Sequence, residues 1–110
     1  MIGSICIIVR RPKGEERSTL AIRTAWATLA GAFEAKMLFI EDGVYNLLDN
    51  PGYNTEIIKG FLKEGGAVYA VSTCLQERGL SAEQLLEGIE IIPEEDVPEL
   101  ILNCDASTTF

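Results

Sequence analysis

The sequence predicts an α/β fold in three layers, with helices on both faces of a mostly parallel sheet of about five strands. Three observations predict it. Short runs that are apolar throughout and rich in β-branched residues recur along the chain, apolar stripes at helical spacing separate them, and glycine, proline or capping residues mark most boundaries. A strand that is apolar on both sides needs cover on both sides, which a parallel sheet receives from its crossover helices. The 110 residues suit one domain, expected to span residues 1–110, and show no internal repeat or linker.

Ile5-Cys6-Ile7-Ile8-Val9 reads as a first strand buried on both sides, so Cys6 is expected in the core. The loop Arg10–Arg17 holds four of the nine basic side chains and follows the carboxyl end of that strand. Open α/β sheets face their ligands there, although such a charge run is more often a solvated loop. From Ser18, a plausible cap, Ile22, Trp26, Leu29 and Phe33 follow the spacing of one helix stripe. Trp26 is expected in the core or at a subunit contact. Lys36–Ile40 is the second strand, ending at Glu41-Asp42-Gly43-Val44, where Gly43 supplies conformational freedom to the turn. Asp42 either serves chemistry or caps the short segment Val44–Leu48.

Asp49-Asn50-Pro51-Gly52 is a turn signal, after which Asn54 is placed to cap a helix with the stripe Ile57, Ile58, Phe61 and Leu62, closed by Gly65. Ala67–Val71 is the third strand. Ser81 and Gln84 have capping-box spacing ahead of a short helix stopped by Gly88, and Ile89–Ile92 is the fourth strand, closed by Pro93. Asp96 and Glu99 repeat that spacing before a helix ending near Asn103, with Cys104 as a packed helix-end residue. Ala106–Phe110 is expected as a fifth, edge strand.

Function is expected where the third strand runs into Ser72-Thr73-Cys74. Thr73 and Gln76 have capping-box spacing, which makes Thr73 a cap and puts Cys74 in the first turn of a helix. Unpaired N–H groups and a positive dipole there favour a thiolate over a thiol, and Arg78, four residues on, shares the helix face. A small buried apolar residue is the alternative fate of such a cysteine.

Composition removes several classes. The net charge of −8, from 17 acidic and 9 basic residues, disfavours direct contact with nucleic acid and suits a basic or neutral protein partner. Three cysteines without C-x-x-C spacing, and no histidine, argue against a disulfide framework, a metal site and His-assisted nucleophiles. No glycine-rich phosphate motif follows the first strand, so no cofactor is expected. The apolar runs are far below the roughly 20 residues of a membrane span, and Met1-Ile2-Gly3-Ser4-Ile5 has no leader pattern; a cytoplasmic protein is expected.

Asp42-Gly43-Val44 after the second strand, Cys74 after the third and Arg78-Gly79 beyond it together resemble the DsrE/DsrF/DsrH-like sulfur-relay family, which includes the TusB, TusC and TusD subunits. The stretch FIEDGVYNLL is most like the TusC/DsrF branch, whereas the cysteine is DsrE/TusD-like. The resemblance implies a small parallel-sheet subunit that assembles into homo-oligomeric or hetero-oligomeric trimers or hexamers. It also implies a sulfur carried as a persulfide on Cys74, received from and passed to partner proteins in tRNA thiolation or sulfur oxidation. Asp42, Gly43, Ser72, Thr73 and Arg78 would support that cysteine. Such a carrier step is not turnover of a small substrate. Two other readings stand beside it: a structural or regulatory subunit with an inert cysteine, and a thiol redox sensor.

Overall fold

Side chains alternate across a strand, so β1 (Ser4–Val9) sends Ile7 and Val9 to one face of the sheet and Cys6 and Ile8 to the other. The computed structural model describes residues 3–110. With β2 (Glu34–Phe39), β3 (Ala67–Val71), β4 (Glu90–Ile92) and β5 (Ala106–Thr109), β1 forms one sheet in the order β4-β3-β2-β1-β5, every pairing parallel. Val9 pairs with Phe39 and Phe39 with Ala70, so the first three strands end almost level at the carboxyl edge.

The two faces are covered unequally. On one, Ala21, Ile22 and Ala25 of α1 (Glu16–Ala30) and Ile58 and Phe61 of α2 (Tyr53–Lys63) pack on Ile7, Met37, Phe39 and Val68. Phe39 and Phe61 are completely buried there, each worth on the order of 2–3 kcal/mol. On the other face, Cys6, Ile8, Leu38 and Val71 meet Val97, Leu100 and Ile101 of the short α4 (Val97–Leu102), none of whose residues is fully buried. The remaining helix, α3 (Ser72–Glu77), leaves β3 directly and contributes Cys74 to the packing of both faces. Segments of 3-10 helix lie at Glu41–Leu47, Ala82–Gln84 and Glu94–Asp96.

Four local expectations give way, and a fifth, for Trp26, narrows to a subunit contact. Ser18 lies inside α1 and its hydroxyl bonds back to the Pro12 and Glu15 carbonyls, so Glu15 holds the cap position. Asn54 lies inside α2 behind Gly52, buried against Asn46 and Thr19. Thr73 is the second residue of α3, behind Val71, and makes no cap bond. In each case the helix starts two or three residues earlier than local spacing suggested, and no side-chain hydrogen bond caps it. The α1 stripe also ends early, because the chain leaves the helix at Gly31 and puts Phe33 on the surface. Trp26 is 38% exposed, lying on Gly60 in a shallow apolar groove between α1 and α2 rather than in the core.

Other signals hold. Gly65, at φ 97°, terminates α2. The Ser81–Gln84 capping box forms, around one 3-10 turn. Ala106–Thr109 is an edge strand against β1, where the Asp105 carboxylate accepts from the N–H groups of Gly3 and Ser4.

Candidate functional site

The ends of β2, β3 and β4 enclose Cys74. Because β3 passes into α3 without a linker, Cys74 is the third residue of the helix and lies in its first turn, partly buried. Its sulfur accepts a hydrogen bond of 3.3 Å from the backbone N–H of Glu41, just past the end of β2. A groove of about 350 Å³ opens beside it, walled by Ile40, Glu41, Val71, Glu94, Val97 and Pro98. Ser72 and Thr73 are partly buried in the same turn, and neither side chain bonds to a described residue.

The donor to the sulfur is held in an uncommon conformation. Glu41 has φ 50°, a left-handed geometry that costs a non-glycine residue roughly 1–2 kcal/mol. Its carboxylate is fastened by the guanidinium of Arg10 at 2.7 Å. Two residues on, Gly43 keeps a negative φ, which corrects the expectation that it serves the turn by conformational freedom. It is needed for a different reason: a Cβ there would overlap the carbonyl of Val9, so only glycine lets the turn lie on the end of β1. Asp42 does not cap the 3-10 segment, which follows Ile40. Its carboxylate instead accepts from Nε of Arg78 at 3.0 Å, while another Arg78 nitrogen donates to the carbonyl of Cys74 at 3.1 Å. Burial opposes the charge on Arg78, but the bond to Asp42 and its charge outweigh it and raise the arginine pKa, with Cys74 adding a smaller pull.

The structure thus brings Asp42, Gly43, Ser72, Thr73, Cys74 and Arg78 to one sheet edge. The Arg10–Arg17 loop comes to that edge too: Arg10 and Arg11 join Glu41, Asp42 and Arg78 around a polar basin of about 410 Å³. Asn46 fixes this loop. It is fully buried, and its amide donates to the carbonyls of Arg11 and Gly43 while accepting from Asn54. Glu41, Asn46 and Glu94 are not among the residues that sequence patterns single out. A lone asparagine inside the apolar run Val44–Leu48 is the only local sign of Asn46, and the other two look like ordinary surface acids.

The other cysteines differ. Cys6 is completely buried, and burial followed by the adjacent Cys104 sulfur pushes its thiol up to about 12. Cys104 is partly buried after α4, its thiol directed at the carbonyl of Leu100. All three are free thiols, and among the described residues no cluster of His, Cys, Asp or Glu could hold a metal ion.

A model of the DsrE/DsrF-like family matches residues 3–110. The chain belongs to that family. It is similar to uncharacterized protein MK0008 of Methanopyrus kandleri, 32% identical over 105 residues that cover 90% of this chain and 86% of the relative. Uncharacterized protein MJ0989 of Methanocaldococcus jannaschii is 31% identical over 110 residues, covering 94% and 96%. Among solved structures, the ychN protein of E. coli superposes with a TM-score of 0.85 at 23% identity over the whole of both chains. Protein MTH1491 of Methanobacterium thermoautotrophicum gives 0.82 at 18% identity, covering 97% of this chain and 98% of its own. At those identities the two structures speak for the fold alone, and they match the five-stranded αβα architecture of the family.

Proposed function

We propose that this DsrE/DsrF-like chain is a sulfur-relay protein that carries a sulfane sulfur as a persulfide on Cys74 and hands it to a partner protein. The observation that supports it most is the Cys74 sulfur itself, set at the mouth of a groove with a backbone N–H aimed at it. Such a donor favours negative charge on the sulfur that must attack or leave. In loading, the Cys74 thiolate attacks the outer sulfur of a donor persulfide; a new S–S bond forms, the donor's S–S bond breaks, and the donor leaves as a thiolate. In delivery an acceptor thiolate attacks the outer sulfur on Cys74, which leaves as a thiolate in its turn. Neither step changes the net oxidation state, and neither needs a histidine or a metal.

Asp42 and Arg78 serve by holding the turn and the helix together across the site, and Ser72 and Thr73 by exposing the first-turn backbone. The chain acts within a homo-oligomer or together with related subunits, as the family resemblance implies. Among the described residues no helix is long and apolar enough to cross a membrane. Loading and delivery are tested together: the protein is treated with inorganic polysulfide, desalted, and mixed with a thiol acceptor. Wild type should retain one sulfur and release it to the thiol, and Cys74→Ser should do neither. A wild type that retains no sulfur would contradict the reading and favour a subunit in which Cys74 only packs.

A further inference from the structure

We propose that the groove beside Cys74 is the docking site for a thiol-bearing, apolar segment flanked by lysine or arginine on the partner that exchanges sulfur with Cys74; this rests on the carrier reading above. The groove is lined by the apolar Ile40, Val71, Val97 and Pro98 together with Cys74 and two exposed acids, Glu41 and Glu94. Its volume of about 350 Å³ admits a few side chains and not a folded domain.

Charge decides the occupant. Beyond Arg78 the sequence has no lysine or arginine as far as Phe110, and Glu94, which lines the groove with Val97 and Pro98, belongs to a ten-residue stretch that also holds Glu90, Glu95, Asp96 and Glu99. Among the described residues none of these five forms an ion pair. The groove lining holds no cation, and those of the neighbouring basin are already engaged, Arg10 by Glu41, Arg11 by Glu15 and Arg78 by Asp42. Glu41 is thus neutralised by Arg10, and the groove's uncompensated negative charge comes from Glu94 and the acidic stretch it belongs to. A cationic segment is steered in by this field and its apolar residues leave water.

The test uses two short synthetic peptides with one cysteine among leucine and valine, flanked by lysine in one and glutamate in the other. Each is activated as a mixed disulfide with thionitrobenzoate, whose coloured thiolate is released when Cys74 attacks; Cys74→Ser gives the blank. The lysine peptide should react about tenfold faster than the glutamate peptide. That ratio should fall toward one at roughly 0.3 M salt and also in Glu94→Lys, which breaks no ion pair of the fold. Equal rates, a faster glutamate peptide, no reaction of Cys74 with either peptide, or a ratio indifferent to both salt and Glu94→Lys would each overturn the proposal. So would protection of Cys74 that grows with protein concentration, since the groove would then belong to a second copy of the chain. Because this readout does not involve a persulfide, a lysine preference in a protein that fails to load polysulfide sinks the carrier reading and leaves the groove, while normal loading with equal peptide rates sinks the groove alone.

Discussion

At the residue scale the chain separates three cysteines by environment. Strand alternation puts Cys6 on the face that α4 covers, where no water reaches it and its thiol is pushed up to about 12. A group whose folded pKa lies above its unfolded value keeps its proton in the fold, so above about pH 9 unfolding releases that proton and stability falls as pH rises. We therefore predict that alkaline destabilisation between about pH 9 and 11 is smaller in Cys6→Ala than in wild type, even though the variant starts less stable. Urea unfolding at several pH values checks this, and parallel pH profiles would contradict it. Cys6 as a buried residue was legible in the sequence, because a β-branched run on both sides leaves a small thiol nowhere else to point. Its neighbour Cys104 was not, since 98 positions of chain separate two sulfurs that only the return of β5 to the β1 edge brings together.

At the element scale, β3 (Ala67–Val71) was read to the residue, because an apolar run bounded by Gly65-Gly66 and by polar residues has one reading when both faces are buried. The caps were read poorly. Ser18, Asn54 and Thr73 have the right chemistry at nearly the right position, but the hydroxyl and amide found better partners in Pro12, Asn46 and Thr19, or none. The turn after β2 shows the same limit. Asp42-Gly43 was legible as a site element, yet the N–H that meets the sulfur belongs to Glu41, and Gly43 is constrained by the Val9 backbone, not by its own dihedrals. We predict that Gly43→Ala costs about 1–3 kcal/mol, since rigid backbone and not a side chain must move. It should also slow alkylation of Cys74 by displacing Glu41. Denaturant unfolding and iodoacetamide kinetics on the same sample would show both effects; a stable variant with unchanged alkylation would place the turn away from the sulfur.

At the scale of the whole molecule, parallel βαβ order was legible from alternating strand and helix patterns, but strand order was not, because the pattern is silent on where β5 returns. The chain adds strands in one direction from β1 to β4 and then places β5 on the far side of β1, so the reversal lies at β1. The crevice at Cys74 is instead made by Ile40 and the Glu41 turn, Val71 and the Glu94–Pro98 segment. Thin cover on the α4 face leaves Leu102 81% exposed, and Trp26 and Tyr53, the latter 62% exposed, remain on the α1–α2 side. Small domains that expose such surface commonly bury it in symmetric assemblies, and sedimentation at micromolar concentration should give a mass above that of one chain. A monomer that recovers no partner would contradict this. The claim that joins these scales is that Cys74, and neither Cys6 nor Cys104, takes up sulfur in the native protein. Peptide-resolved mass measurement after polysulfide treatment and blocking of free thiols tests it most directly: the gain of one sulfur atom should fall on the peptide containing Cys74 and persist in Cys104→Ser, whereas a gain on Cys104 or on no cysteine would contradict the account.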